Sequence, residues 1–257
     1  MTSASIRDEV AAMHPASFAL VMATGIVSIA CHLLGHPVIA AALFVANVVF
    51  FVLLWVLTVV RIAMFPRRVL ADIAHHGRSV GFFTTVAATC VLGTQALLIR
   101  GQWSIAAGLW AIGIALWALL TYTIFTALTV KSEKPALADG INGGWLVAVV
   151  AAQSVSVLGS QLAAGFAPYT PQVLFFCLGM WLGGGMLYIW IISLIFYRYT
   201  FFTMNPGDLA PPYWVNMGSV AISTLAGATL ITAAPGSPLL IELLPFLKGL
   251  TLHVRGG

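Results

Sequence analysis

The stretch YWVNMGSVAISTLAGATLIT, residues 213–232, is long and apolar enough to cross a lipid bilayer as a helix. One face of that helix carries four small or polar residues spaced three or four apart: Asn216, Ser219, Ser223 and Gly227. Lipid does not favour such a face, because a polar group in hydrocarbon needs a hydrogen-bond partner. The segment therefore predicts a membrane helix whose polar face is turned toward other parts of the protein.

The rest of the chain has a matching composition. Of 257 residues, 61% are hydrophobic and only 7% are charged, whereas a soluble domain carries about a quarter charged residues. Seven apolar runs are long enough to span a bilayer: 16–34, 38–63, 79–99, 103–130, 145–165, 171–197 and 213–233. An eighth run begins near Leu239, but Glu242, Pro245 and Lys248 make it only a partial span. The runs lack the strict alternation of barrel strands. We therefore predict an all-α polytopic membrane protein, with residues 1–257 in a single transmembrane domain.

The basic residues predict the orientation of the chain. Ten of the eleven Lys and Arg residues flank the spans on one side, and only Arg100 falls on the other. By the positive-inside rule the N-terminus is cytoplasmic, and we expect an integral protein of the plasma membrane. No basic run is interleaved with aromatic residues, which argues against a nucleic-acid partner. The three cysteines match no metal or redox spacing, and no catalytic motif occurs. We therefore predict no metal, no cofactor and no enzyme activity.

Small and polar residues are concentrated in every second span. The first, third, fifth and seventh spans each carry a polar face, whereas the second, fourth and sixth are apolar and aromatic. This pattern predicts odd-numbered helices around a central pore and even-numbered helices outside them, against lipid. The pore-lining candidates are Thr24, Ser28, Thr85, Gln153, Ser156, Asn216, Ser219 and Ser223.

Each candidate also has a simpler interpretation. Ser and Thr in membrane helices often donate to a carbonyl of their own helix, and small residues allow helices to pack closely. Buried amides such as Gln153 and Asn216 can hydrogen-bond across a helix interface. We favour the pore because the pattern recurs in four helices.

The middle of every span lacks Asp, Glu, Lys and Arg. Proton pumps and many coupled transporters carry such groups within the membrane, and cation channels favour carboxylates. Hydroxyl and amide groups are instead donors to an anion that has lost part of its water. The sequence therefore favours a path for a small anion.

Three segments resemble one known family: FALVMATGIVSIA at 18–30, WLVAVVAAQSVSVLGS at 145–160 and MNPGDLAPPYWVNMGSVAISTLAG at 204–227. They are similar to the tellurite-resistance/dicarboxylate transporter family, also called the voltage-dependent or slow-type anion channel family. The resemblance implies a subunit of ten helices arranged as hairpins, with the odd-numbered helices in an inner ring and the even-numbered helices in an outer ring. It also implies that the subunits assemble as homotrimers. It covers seven helices and part of an eighth here, so we expect a C-terminally truncated member without the pore-occluding Phe of the ninth helix.

Three interpretations of the function remain open. The first is transport of small anions, either chloride-like or nitrate-like ions or a C4-dicarboxylate such as malate, through a neutral pore. The second is gradient-coupled export of sulfite or a dicarboxylate. The third is a non-conducting fragment. Tellurite resistance is a label of the family, and no residue of the chain argues for it.

Overall fold

The structure is a computed structural model that describes residues 3–203 and 211–255. Seven of its helices are long and apolar enough to cross a membrane: Pro15–Leu33, Pro37–Met64, His76–Arg100, Trp103–Val130, Gly143–Phe166, Thr170–Phe201 and Pro211–Gly236. We number them spans 1 to 7. The described residues form no strand, so the prediction of an all-α polytopic membrane protein is confirmed. The first part of the third resembling segment, residues 204–210, lies outside the described residues.

Shorter helices connect or flank the spans. Ser3–Ala12 precedes span 1, Pro66–Ile73 joins spans 2 and 3, and Leu137–Gly140 lies between spans 4 and 5. The partial eighth run forms two pieces, Pro238–Glu242 and Leu244–Arg255. The second piece packs against span 7.

The spans pack as hairpins attached to an inner row. Spans 1 and 2, 3 and 4, and 5 and 6 pack as neighbouring pairs, as short connections favour. Across these pairs, span 1 packs on span 3, span 3 on span 5, and span 5 on span 7. We call these four odd spans the inner row.

Burial follows the same division. Within the most apolar 18 residues of each span, 78% are buried in span 3 and 94% in span 5, against 6% in span 2 and 17% in span 4. Spans 1 and 7, at 22% and 28%, are less buried because each ends the row and has one odd neighbour. Span 6 reaches 33% because it packs against both span 5 and span 7. The predicted placement of odd helices inside and even helices outside is therefore confirmed most clearly for spans 2 to 5.

Close packing around span 5 depends on a missing side chain. A Cβ on Gly159 would lie 2.5 Å from Cys177 Sγ of span 6 and 2.7 Å from the Trp110 ring of span 4. The Trp110 indole N–H donates to the Val155 carbonyl at 2.9 Å, so its polar atom is satisfied inside the membrane. Glycine at this position lets two outer helices approach the inner row.

Candidate functional site

The four helices of the inner row begin in the same way. The long α-helix of each span is directly preceded by a 3-10 turn, and these turns are Pro15–Phe18, Val80–Phe82, Gly143–Leu146 and Pro211–Trp214. In span 3 the short helix His76–Ser79 comes before that turn. The first turn packs on the second, the second on the third and the third on the fourth. Because a helix N-terminus carries a partial positive charge, four such charges meet at one end of the row. We call this end the mouth.

Glycines allow the turns at the mouth to touch through their backbones. A Cβ on Gly81 would lie 2.9 Å from the Ala16 nitrogen. A Cβ on Gly143 would overlap the carbonyl oxygen of Pro212. The starts of spans 1 and 3, and those of spans 5 and 7, are therefore in direct main-chain contact.

Side chains satisfy some of the free N–H groups at these helix starts. His14 Nδ1 accepts a hydrogen bond from the Ala16 N–H at 3.1 Å. His75 Nδ1 accepts from the Gly77 N–H at 3.2 Å, in the turn that leads into span 3. In span 5, Asn142 Oδ1 accepts from the Gly144 N–H at 2.8 Å. Two of these three caps are imidazoles, which accept through Nδ1 only when they are neutral.

An ion cluster lies beside the mouth. Asp72 accepts hydrogen bonds from Arg61 Nη2 and from Arg78 Nε, both at 2.6 Å. Burial raises the pKa of Asp72, but the hydrogen bonds from Arg78 and Arg61 outweigh burial and hold its pKa below the ordinary value. The Arg61 side chain is only 4% exposed and also donates to the Ala11 carbonyl at 3.4 Å. Two cations and one anion leave this cluster with a net positive charge next to the starts of spans 1 and 3, on which helix His76–Ser79 packs.

The His14 cap predicts a local dependence on pH. Burial and the charges of Arg78 and Arg61 lower the pKa of His14, whereas Asp72 raises it. The neutral imidazole is the capping form, so the cap is complete above the ordinary pKa of 6.5 and is lost as pH falls through the lowered folded-state value. We expect amide exchange at Ala16, measured by mass spectrometry and corrected for intrinsic rate, to accelerate on acidification.

The chain itself supplies the matched variant for this prediction. His14→Asn keeps an acceptor of the kind that Asn142 uses but removes the titration, so exchange at Ala16 should become independent of pH. His32→Asn, at the other end of span 1, should leave the acid response intact. An unchanged acid response in His14→Asn would show that the histidine cap does not control this turn.

Three of the sequence-predicted residues donate to their own helix. Thr85 donates to the Phe82 carbonyl, Ser219 to that of Asn216 and Ser223 to that of Ser219, at 2.7–2.8 Å. Their hydroxyl hydrogens are therefore engaged, while their oxygen lone pairs still accept. Thr24, on span 1, is half-buried.

Three others connect neighbouring helices. Ser28 donates to the Ala40 carbonyl of span 2, and Ser156 to the Cys177 carbonyl of span 6, both at 2.8 Å. Gln153 Nε2 donates to the Trp181 carbonyl of span 6 at 3.1 Å. These contacts are with outer helices, so the role of these residues on an anion path stays a prediction.

The structure brings some of the predicted residues on spans 5 and 7 near one another. Gln153 and Ser223 border the same cavity of about 350 Å³, between span 6 and helix Leu244–Arg255. Tyr188, from span 6, borders it too and donates to Asn216 Oδ1 at 3.1 Å. Thr24, Ser28 and Thr85 belong to spans 1 and 3, at the other side of the inner row. The eight predicted residues therefore form two groups, separated by the tightly packed contact of spans 3 and 5.

One buried polar pair joins Gln95, which belongs to the polar face predicted for the third span, to Asn47, which the sequence pattern missed. Asn47 of span 2 donates through Nδ2 to Gln95 Oε1 of span 3 at 2.6 Å, and both side chains are fully buried. A Cβ on Gly25 of span 1 would lie 2.8 Å from Asn47 Nδ2, so three helices meet at this pair. Asn47 stands alone in a long apolar run, and an isolated amide gives no periodic signal. The amide itself was the available signal, because it needs a partner in hydrocarbon.

Seven spans, an inner row with no Asp, Glu, Lys or Arg in the middle of its helices, and a positive mouth describe a polytopic membrane protein. The chain belongs to the voltage-dependent anion channel family, whose model (SLAC1) matches residues 12–252. The family resemblance found in the sequence is thereby confirmed.

The curated relatives are transporters and membrane proteins. The chain is 30% identical over 231 residues to an uncharacterized transporter of Methanocaldococcus jannaschii, covering 86% of this chain and 65% of that protein. A second uncharacterized transporter of the same organism is 26% identical over 227 residues, covering 85% and 65%. An uncharacterized membrane protein of Mycobacterium tuberculosis is 46% identical over 48 residues, covering 19% and 24%. The chain thus spans less than two thirds of the length of the two transporters. No solved structure matches it significantly.

Proposed function

We propose that the protein moves small anions across the membrane along the inner row, with the mouth as the entrance on one side. The observation that carries this proposal is the row of four helix starts at one end of the inner row, in which each start packs on the next. Helix N-termini attract anions through their partial charge and their free N–H groups. The net positive cluster of Arg61, Asp72 and Arg78 adds to the same field.

The neutral interior of the inner row fits the release of the ion as well as its entry. A path without fixed charge binds an anion weakly, so the ion is free to leave. The hydroxyls of Ser219 and Ser223 donate to carbonyl groups of their own helix. Those carbonyls also accept hydrogen bonds from backbone N–H groups of the helix. Turning such a hydrogen toward a passing ion therefore costs little, because the helix keeps its backbone hydrogen bond.

Chloride-like or nitrate-like ions and C4-dicarboxylates such as malate are the proposed substrates. A gradient-coupled exporter of sulfite or a dicarboxylate is the second candidate, favoured by the histidine caps at the mouth. Reversal potentials separate the two functions. A channel follows the anion gradient alone, whereas a carrier coupled to protons also responds to a pH gradient.

Orientation and assembly belong to the same proposal. We expect the protein to lie in the plasma membrane. By the positive-inside rule its basic side, which includes the mouth, faces the cytoplasm. The homotrimer that the family implies needs an apolar contact surface on each subunit. Span 6 offers such a surface, since it carries three glycines with open space beside them. A Cβ on Gly179, Gly183 or Gly185 would meet no atom within 4 Å.

Asn216→Leu tests the anion path on span 7. We expect anion flux into liposomes to fall about tenfold, which corresponds to about 1.4 kcal/mol of lost stabilisation of the ion on its path. The measurement is the initial rate of chloride, nitrate or malate uptake at equal amounts of reconstituted protein.

Tyr188→Phe is the matched control. It removes the hydrogen bond between Tyr188 and Asn216 but leaves the Asn216 amide in place. We expect flux within about twofold of the unmodified protein. Equal losses in both variants would assign Asn216 to helix packing, and absence of flux from the unmodified protein would contradict the proposed function itself.

A further inference from the structure

Two arginines lie against one aromatic ring at the basic end of the molecule. The guanidinium carbon of Arg7 is 5.7 Å from the centre of the Phe65 ring, and that of Arg68 is 5.6 Å from the same centre. Arg7 belongs to helix Ser3–Ala12, whereas Arg68 belongs to helix Pro66–Ile73. Phe65 thus brings together cations from two separate helices, each at the distance of a cation–π contact.

Neither guanidinium has a carboxylate partner among the described residues. The ion pairs found there are those of Arg61 and Arg78, and both use Asp72. Asp8 and Glu9 are exposed next to Arg7 in sequence but form no ion pair with either arginine. Arg7 and Arg68 are themselves exposed. Two like charges are therefore held near one ring, accessible from outside and without a counter-ion among the residues that the structure describes.

The position of the ring is the membrane boundary. Phe65 directly follows Met64, the last residue of span 2. Helix Pro66–Ile73 then exposes Arg67 and Arg68 as well as Leu70, which is 64% exposed. A short helix with both basic and apolar exposed residues is suited to lying at the headgroup level of a bilayer.

We propose that Arg7, Phe65 and Arg68 form a binding site for the phosphate of an anionic phospholipid headgroup. Guanidinium groups present paired N–H donors that match phosphate oxygens. One lipid phosphate near the two arginines carries a single negative charge, which offsets half of their combined positive charge, while the ring holds the guanidiniums in place. The lipid chains then extend beside the end of span 2. This site does not depend on the transported ion.

The test is lipid binding by the purified protein in a neutral detergent at fixed ionic strength. Native mass spectrometry measures the apparent affinity for dioleoyl phosphatidylglycerol, with dioleoyl phosphatidylcholine as the neutral lipid. We expect phosphatidylglycerol to bind more tightly, and R7Q and R68Q each to weaken its binding about fivefold, in line with the contribution of one basic residue at a membrane surface.

R67Q is the matched control, since Arg67 is exposed on the same helix but is not among the arginines over Phe65. We expect it to change the affinity less than twofold. If R67Q lost as much affinity for phosphatidylglycerol as R68Q, diffuse surface charge rather than a defined site would account for lipid binding. Displacement of the lipid by millimolar inorganic phosphate would overturn the assignment to a lipid. Thermal unfolding without added lipid shows whether each variant is folded, and Phe65→Leu provides a further variant that keeps both charges and is expected to lose affinity.

Discussion

Asp72→Asn is expected to lower the free energy of unfolding by about 3 kcal/mol, the low end of the range for breaking a buried ion pair. The substitution leaves the Arg61 guanidinium, at 4% exposure, without its anion. It also frees Arg78, but that side chain is 33% exposed and regains water, which keeps the loss at the low end. The measurement is reversible unfolding in mixed micelles, or the midpoint of thermal unfolding in one detergent.

Two control variants separate the buried pair from the cluster as a whole. Arg78→Gln keeps the pair of Arg61 with Asp72 and is expected to cost about 1 kcal/mol. Arg61→Leu combined with Asp72→Leu removes both buried charges and should be more stable than Asp72→Asn alone. Equal losses in Asp72→Asn and Arg78→Gln would contradict this account of the cluster.

The same cluster predicts the acid limit of stability. The folded-state pKa of Asp72 is lowered, so its contribution is complete above the ordinary value of 3.8 and is lost as pH falls through the lowered value. His14 acts at higher pH, because its cap is lost only below 6.5. Acidification should therefore release the turn at span 1 before it weakens the ion cluster.

Gly143→Ala is the second large effect, and we expect it to abolish flux and most of the folded protein. The added Cβ would overlap the Pro212 carbonyl oxygen and would lie 3.0 Å from Tyr213 Cα. These are main-chain atoms at the start of span 7, so no side-chain rotation relieves the clash. Separating the two helix starts costs about 3 kcal/mol or more, since overpacking in a rigid contact exceeds the usual range. Size-exclusion yield and anion flux measure the two losses.

Gly218→Ala is the matched control in span 7. A Cβ on Gly218 would meet no atom within 4 Å, so we expect normal yield. Full yield and unchanged flux in Gly143→Ala would show that the contact between the starts of spans 5 and 7 is not needed. Loss of flux with retained yield would show that the mouth itself, rather than the fold, depends on this contact.

Local patterns predicted the path of the chain well and the site only in part. Hydrophobic length located the seven spans, and the alternation of polar faces predicted the inner row. The faces did not identify partners: Ser28 and Ser156 carry the same pattern as Ser223, yet they bond outer helices whereas Ser223 bonds its own. Periodicity reports which residues share a face, but the helix that meets that face depends on rotation about the helix axis.

The sequence by itself determined the seven spans and their helical nature, and it predicts that the basic side faces the cytoplasm. These properties follow from local free energies of transfer into lipid, which add along the chain. Only the tertiary structure decided that each inner helix begins in contact with the start of the next one in the row, that Asn47 meets Gln95, and that Arg7 and Arg68 share one ring. Each of these depends on contacts between segments far apart in the chain, which packing selects and local hydrophobicity does not specify.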